Sequence, residues 1–193
     1  MTAREHWHPV LASWFSDKYG EATDVQLRAW PLVAAGAHTL IAAPTGSGKT
    51  LAALMPLLNR LVLDKLAEPA RRTDKGGVRI LYVTPLKALN NDIREHLFDY
   101  TAEWKRRAET AGMPWPGITV GVRTGDTTQN TRASMLRHPP DVLVTTPESL
   151  YILLTSPRAR EMLRTVRHVV VDEIHDLAAS ERGVHFSLTL ERL

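Results

Sequence analysis

Ala43-Pro44-Thr45-Gly46-Ser47-Gly48-Lys49-Thr50 follows the apolar run Thr39-Leu40-Ile41-Ala42 and opens a helical pattern from Leu51 to Leu66. An apolar run, a loop of small residues and a new helix, in that order, make a phosphate-binding loop. Gly46, Ser47 and Gly48 let successive backbone N–H groups approach phosphate oxygens, and the helix start adds the positive end of its dipole. Lys49 has the reach for β/γ-phosphates and the Thr50 hydroxyl can hold Mg²⁺, so Thr45, Gly46, Ser47, Gly48, Lys49 and Thr50 are the expected nucleotide-binding residues. The general pattern opens on glycine where this chain has Ala43. That position closes a strand, so a methyl group is expected to fit. A plainer alternative makes Gly46 and Gly48 a flexible turn, with Lys49 and Thr50 solvated. The loop alone also leaves kinases, GTPases, transporters and motors open.

Outward from the loop, five short apolar runs read as strands: Thr39 to Ala43, Ile80 to Thr84, Ile118 to Val122, Val142 to Thr145 and His168 to Asp172. They are nearly continuous in hydrophobicity, as in strands covered on both faces, and the segments between them are long enough for crossover helices. Helical spacing recurs in Leu51 to Leu66, Lys87 to about Ala111, Thr128 to Arg137, Pro147 to Leu154 and from Glu181 toward Leu193. The fold class expected is α/β: a parallel sheet of about five or more strands with helices on both faces. Glu68 to Gly77 reads as an exposed loop, and the final helical pattern reaching the last residue predicts a continuation.

At 193 residues the chain suits one domain, and 44% hydrophobic with 23% charged residues places it among ordinary globular proteins rather than disordered ones. No stretch is long and apolar enough to span a bilayer. The first residues, with Arg4, Glu5, His6, Trp7 and His8, lack the apolar core of a signal peptide, so a cytoplasmic location is expected. The absence of cysteine excludes disulfides, thiolate catalysis and Cys-ligated metals. A net charge of +3 supports a polyanionic partner only weakly. The five other histidines, His38, His96, His138, His168 and His185, show no metal-ligand spacing. Trp7, Trp14 and Trp30 are expected to pack around an N-terminal helix, base stacking being the alternative.

The run Val169-Val170-Val171 delivers Asp172-Glu173-Ile174-His175, an acidic pair at a strand's C-terminal end. In open α/β sheets ligands bind at that edge, so Asp172 is expected to hold Mg²⁺ with Thr50, and Glu173 to polarise an attacking water. The alternative is a helix N-terminal pair stabilised by the macrodipole. His175 either couples the γ-phosphate to a neighbouring element or is structural.

These residues resemble superfamily 2 helicases of the DExH type, with APTGSGKT (43–50) similar to motif I and DEIH (172–175) to motif II. Thr23-Asp24-Val25-Gln26 resembles the Q-motif, which implies that Gln26 reads adenine. TPLKALNND (84–92), VRTGDT (122–127) and TTPESL (145–150) resemble motifs Ia, Ib and Ic, each beginning where a strand ends. The resemblance implies nucleic-acid contacts at Thr84, Pro85, Lys87, Asn90, Arg123, Thr124, Gly125, Thr145, Thr146 and Glu148; read singly, each segment is equally explained by capping and turn chemistry. LKALNNDI, RTGDT, PPDVLVTTPESLYILLTS and VDEIHDLAASERGVHFSLTLERL are similar to the large helicase-related (Lhr) family over residues 10–193. That implies a RecA-like first motor domain over 1–193, with 1–36 an N-terminal helical segment. It implies Mg·ATP as cofactor, Glu173, Lys49 and His175 as catalytic residues, and 3′ to 5′ movement on single-stranded DNA or RNA, or a hybrid duplex, linked to DNA repair. Motifs III to VI and the arginine finger of a second RecA-like domain do not occur here, so a continuation is expected to complete the site. A nucleotide- and nucleic-acid-binding module without turnover, and a P-loop kinase, are the other classes open to this sequence.

Overall fold

The computed structural model describes residues 6–67, 76–85, 87–178 and 180–193, with the side chains of 87–91 outside the description. Its elements run α1 (Pro9–Tyr19), α2 (Asp24–Ala34), α3 (Lys49–Ala67), β1 (Ile80–Val83), α4 (Lys87–Thr110), β2 (Val120–Arg123), α5 (Gln129–Arg137), β3 (Val142–Thr145), α6 (Pro147–Thr155), α7 (Pro157–Leu163), β4 (His168–Val171), α8 (Ile174–Ala178) and α9 (Glu181–Leu190). They gather into two compact units, Met1–Pro69 with Thr101–Gly117, and Ala70–Tyr100 with Ile118–Leu193.

The first unit is helical and built on aromatic rings. Pro9 takes the first position of α1, where a missing N–H costs nothing. His8 caps that helix: Nδ1 accepts from the Val10 N–H at 3.3 Å, while the His8 N–H donates to Asn59 Oδ1 at 2.7 Å. Trp7, Trp14, Phe15, Trp30 and Trp104 are buried. Trp7 and Phe15 lie 4.7 and 5.2 Å from Trp30, and Trp14 lies 5.2 Å from Trp104, all edge to face as the ring quadrupoles favour. The Trp30 indole donates to the Leu51 carbonyl at 3.2 Å, which fastens α2 to the first turn of α3. The tryptophans therefore pack, as expected.

The second unit is a parallel sheet flanked by helices, with strand order β2-β3-β1-β4. Every residue of β1 and β3 is buried, which is why their sequences read as unbroken apolar runs. Leu81, Val83 and Leu143 pack against Leu150 and Leu153 of α6, Met162 and Leu163 of α7, Leu177 of α8 and Phe186 of α9. At Gly183, a Cβ would stand 1.9 Å from the Leu177 carbonyl oxygen, so the approach of α9 to α8 requires glycine.

Among the described residues four strands form, where about five or more were expected. Thr39 to Ala43 is described but pairs with no described strand, and Leu40 is 78% exposed. An apolar run becomes a strand only when its backbone finds a ladder, and here it finds none. The short helices α7 and α8, of seven and five residues, were beyond sequence periodicity because so few residues draw no stripe. Helix α9 closes at Leu190, short of the Leu193 to which its apolar pattern extends. Most of Glu68 to Gly77 lies outside the described residues.

Two outcomes follow for stability. Trp30→Ala is expected to cost about 3–5 kcal/mol in urea unfolding, because it opens a cavity among rings and frees the Leu51 carbonyl. Burial holds the His8 imidazole below its ordinary 6.5. The unfolded chain then binds the extra proton first, so stability is full above about pH 6.5 and declines as pH falls through the lowered folded value. His8→Asn, which keeps a capping side chain, is expected to flatten that part of the pH profile of the urea midpoint.

Candidate nucleotide and nucleic-acid sites

In the phosphate loop Gly46 and Gly48 have φ of 79° and 86°, a left-handed conformation that favours glycine. Ala43 is absent from the positive-φ residues, which explains why a methyl group is accommodated where the general pattern has glycine. The Ser47 N–H donates to the Pro44 carbonyl at 3.3 Å and closes the turn. Lys49 starts α3, and its Nζ donates to the carbonyls of Ala43 at 2.7 Å and Pro44 at 3.0 Å. The first N–H groups of α3, those of Lys49, Thr50 and Leu51, have no partner within the helix and are the donors a phosphate would use.

The segment before the loop is tied directly to it. Thr23 and Gln26 form a capping box at the start of α2, with Gln26 Oε1 accepting from the Thr23 N–H at 3.1 Å. The same two side chains reach the loop: Thr23 Oγ1 donates to the Ser47 carbonyl at 2.9 Å and Gln26 Nε2 to the Gly48 carbonyl at 3.4 Å. Gln26 is only 4% exposed, and a Cβ on Gly48 would stand 2.4 Å from its Nε2. Gln26 thus shapes the loop, and each of its amide atoms retains one further hydrogen-bonding position.

In the second unit β4 carries Asp172 to the sheet's C-terminal edge, where its N–H donates to the Val83 carbonyl at 2.8 Å. Asp172 Oδ2 accepts from the Tyr82 hydroxyl at 2.5 Å and Oδ1 from the Glu173 N–H at 3.0 Å. Glu173 has φ 49°, and is the one non-glycine described residue with positive φ. Such a conformation costs about 1–2 kcal/mol, and strain of this kind concentrates at functional sites. Glu173 Oε2 lies 3.3 Å from His175 Nδ1, whose other nitrogen lies 3.5 Å from Asp176 Oδ1. His175 itself is 74% exposed.

The three strand-end segments meet at that same edge, since Arg123, Thr145, Val83 and Val171 form one row of paired residues. Thr84, Pro85, Arg123, Thr124, Thr145 and Thr146 are buried, so their side chains build the edge from inside. Thr145 Oγ1 donates to the Arg123 carbonyl at 2.6 Å, Thr146 caps α6 by accepting from the Ser149 N–H at 3.3 Å, and the Thr84 N–H donates to the Thr145 carbonyl at 3.1 Å. Gly125 and Glu148 are exposed; the side chains of Lys87 and Asn90 lie outside the described residues. Arg123 Nη1 donates to the Thr124 carbonyl at 2.6 Å, and Arg132 grips the carbonyls of Thr127 and Gly125, each at 2.8 Å. Burial first, and the nearby Arg132 charge second, lower the Arg123 pKa, and neither guanidinium pairs with a described carboxylate.

Sequence reasoning missed four contributors: Thr23, Tyr82, Arg132 and Arg182. The T-x-x-Q spacing of a capping box signals Thr23, and Tyr82 is the one polar side chain in the run Ile80-Leu81-Tyr82-Val83. Nothing local marks the two arginines.

The model of the DEAD/DEAH box helicase family matches residues 23–193. The Lhr helicase/probable uracil glycosylase of Mycolicibacterium smegmatis is 50% identical over 184 residues, which cover 95% of this chain and 12% of that protein. The ATP-dependent helicase Lhr-Core protein 2 of Thermococcus barophilus is 45% identical over 193 residues, covering 98% of this chain and 22% of the relative. The chain thus spans less than a quarter of these relatives' length. The solved structure of Mycobacterium smegmatis helicase Lhr bound to ssDNA and AMP-PNP superposes with a TM-score of 0.89 at 45% identity, over 100% of this chain and 23% of that one. DEAD-box helicase Mss116, at 20% identity and a TM-score of 0.75 over 99% of this chain and 36% of its own, shares the fold. Matched along nearly its whole length by that family model and by these relatives, the chain belongs to the DEAD/DEAH box helicase family, as a RecA-like domain of the Lhr type.

Proposed function

We propose that this chain is the first motor domain of an Lhr-type helicase, which binds Mg·ATP and one strand of nucleic acid and, joined to a second RecA-like domain, moves 3′ to 5′ along it. The observation that carries the reading is the phosphate loop: two left-handed glycines, Lys49 at the head of α3, and the loop carbonyls fastened to Thr23 and Gln26. The relatives support it, since they are named as ATP-dependent helicases and one solved relative holds ssDNA and AMP-PNP. Cytoplasmic action fits a chain in which no described helix is long and apolar enough to cross a membrane.

The reading gives Thr45 through Thr50 the phosphates and Gln26 the adenine edge. Lys49 leaves two neutral carbonyls for a phosphate, a gain in charge complementarity for a flexible ammonium. The reading assigns Mg²⁺ to Asp172 and Thr50, whose carboxylate and hydroxyl are the hard oxygen donors this ion takes; each Asp172 oxygen accepts one hydrogen bond and keeps a lone pair for a further partner. Bound there, Mg²⁺ would neutralise charge on the β- and γ-phosphate oxygens. Glu173, strained at the end of β4 and still partly exposed, orients and polarises the attacking water, with His175 beside its carboxylate. The nucleic-acid backbone lies along the edge formed by 84–92, 122–127 and 145–150. Arg123 and Arg132, neither of which pairs with a described carboxylate, supply positive potential there, and recognition through phosphates leaves DNA, RNA and hybrid all admissible.

Fluorescent ATP-analogue binding tests the site. Lys49→Ala is expected to weaken affinity by at least about tenfold, whereas Glu173→Gln keeps affinity and abolishes any ATP hydrolysis, measured with single-stranded DNA present. Unchanged affinity in Lys49→Ala would sink the nucleotide reading. Turnover that no nucleic acid accelerates, in a chain extended by a second RecA-like domain, would favour a binding module over a motor. Glu173→Gly, which relieves the left-handed strain, is expected to raise stability by about 1 kcal/mol in urea while removing hydrolysis.

A further inference from the structure

Arg182 stands two residues after the cap of α9, outside the segments given nucleotide or nucleic-acid contacts above, yet its guanidinium joins two of them. Nε donates to Glu148 Oε1 at 2.8 Å, Nη2 lies 2.7 Å from the same oxygen, and Nη2 also donates to the Pro85 carbonyl at 3.2 Å. Glu148 is in the first turn of α6, within TTPESL, and Pro85 follows β1, within TPLKALNND. One planar fork therefore spans the starts of two strand-end segments, a task a lysine's point charge cannot perform. Burial pulls the Glu148 carboxyl upward, but its own N–H, Arg182 and Thr146 outweigh that and hold it below its ordinary value, so the partner stays charged.

The pair is half exposed, 48% for Arg182 and 53% for Glu148, and an exposed ion pair contributes little to folding. What distinguishes it is placement. The Ser180 hydroxyl caps α9 by accepting from the Gly183 N–H at 3.3 Å and donates to the Leu177 carbonyl at 3.0 Å. Gly183, next to Arg182, touches that same carbonyl so closely that no side chain fits. Arg182 is thus seated by a tight turn on α8, the helix that begins right after the acidic pair.

We propose that Arg182 is a positioning residue for the nucleic-acid edge, clamping the Pro85 exit of β1 and the start of α6 to the helix behind Asp172 and Glu173. The proposal rests on the nucleic-acid reading of that edge. A direct contact to a phosphate is the rival role, and salt dependence separates the two: a lost phosphate contact lowers the slope of log affinity against log salt by about one, a lost brace leaves it unchanged.

The test measures binding of a fluorescent oligothymidylate across a salt series, with hydrogen exchange of the free chain, for Arg182→Ala, Arg182→Lys, Glu148→Gln and the double variant Arg182→Ala with Glu148→Gln. Both Arg182 variants are expected to bind about tenfold more weakly with an unchanged salt slope, and the double variant no more weakly than Arg182→Ala alone. Exchange should quicken at the Ser149 and Leu150 amides, which bond to Thr146, and stay unchanged in β1 and β3, showing that the variants fold. A slope lowered by about one, full affinity in Arg182→Lys, or unaltered exchange at those amides would each overturn the proposal. Failure of the unsubstituted chain to bind the oligonucleotide at low salt would instead bring down the nucleic-acid reading, and this proposal with it, before any variant is compared.

Discussion

A single row of paired residues, Arg123, Thr145, Val83 and Val171, crosses the sheet at its C-terminal edge. With strands about 4.8 Å apart, the four segments that leave this row start side by side, and none of them has to reach far to act with its neighbour. The acidic pair adjoins the exit of β1, which adjoins TTPESL, which adjoins VRTGDT. A slip of one residue would turn every side chain to the other face and part Tyr82 from Asp172. Register is therefore the constraint on which the chemistry of the second unit depends, and it is secured by the buried apolar residues of β1 and β3.

Several local costs fall within the segments assigned to function. Glu173 sits in a left-handed conformation, and Ser47 Oγ and Thr84 Oγ1 are buried without a hydrogen-bond partner among the described residues. Each such hydroxyl costs about 1–3 kcal/mol relative to a satisfied one. By contrast, the structural polar groups nearby are well served: Thr145 bonds the Arg123 carbonyl, and Thr146 and Thr128 cap their helices. Strain and unmet hydrogen bonds gathered in a phosphate loop and at strand ends are the pattern expected where folding has yielded to binding.

The parts of this architecture written in local pattern were legible. Apolar runs matched β1 to β4 within two residues at either end, and helical spacing matched α3 through α6. Thr39 to Ala43 misled because hydrophobicity reports burial potential, whereas a strand also needs a partner backbone. The candidate contacts do leave one shared edge of the sheet, but the sequence could not say which way each side chain turns. Thr84, Thr145 and Thr146 look like surface hydroxyls in a string of letters and are buried in the structure: cross-strand bonding claims Thr145 and capping claims Thr146, while Thr84 follows the buried β1. Arg132 and Arg182 escaped notice for the complementary reason: only the folded chain brings their partners near, loop carbonyls five or more residues back for Arg132 and, for Arg182, a carboxylate 34 residues away in the first turn of α6.

Beside Arg123, which bonds the carbonyl of its own neighbour Thr124, Lys49, Arg132 and Arg182 each hold backbone carbonyls farther along the chain, and geometry separates their roles. Lys49 donates to Ala43 and Pro44, Arg132 to Thr127 and Gly125, and Arg182 to Pro85 beside its carboxylate. A carbonyl offers a partial charge and a phosphate a full one, so an ammonium on a flexible stem exchanges the first for the second with little lost. The guanidiniums differ. Arg132 spans two carbonyls of one turn, and Arg182 spans a carbonyl and a carboxylate on separate segments, so moving either plane breaks two contacts at once and releases the loop it shapes. Under the proposed function, the same donor-to-carbonyl contact is a resting place for Lys49, given up when a phosphate arrives, and a brace for the two arginines, whose contacts shape the frame that would present the ligand.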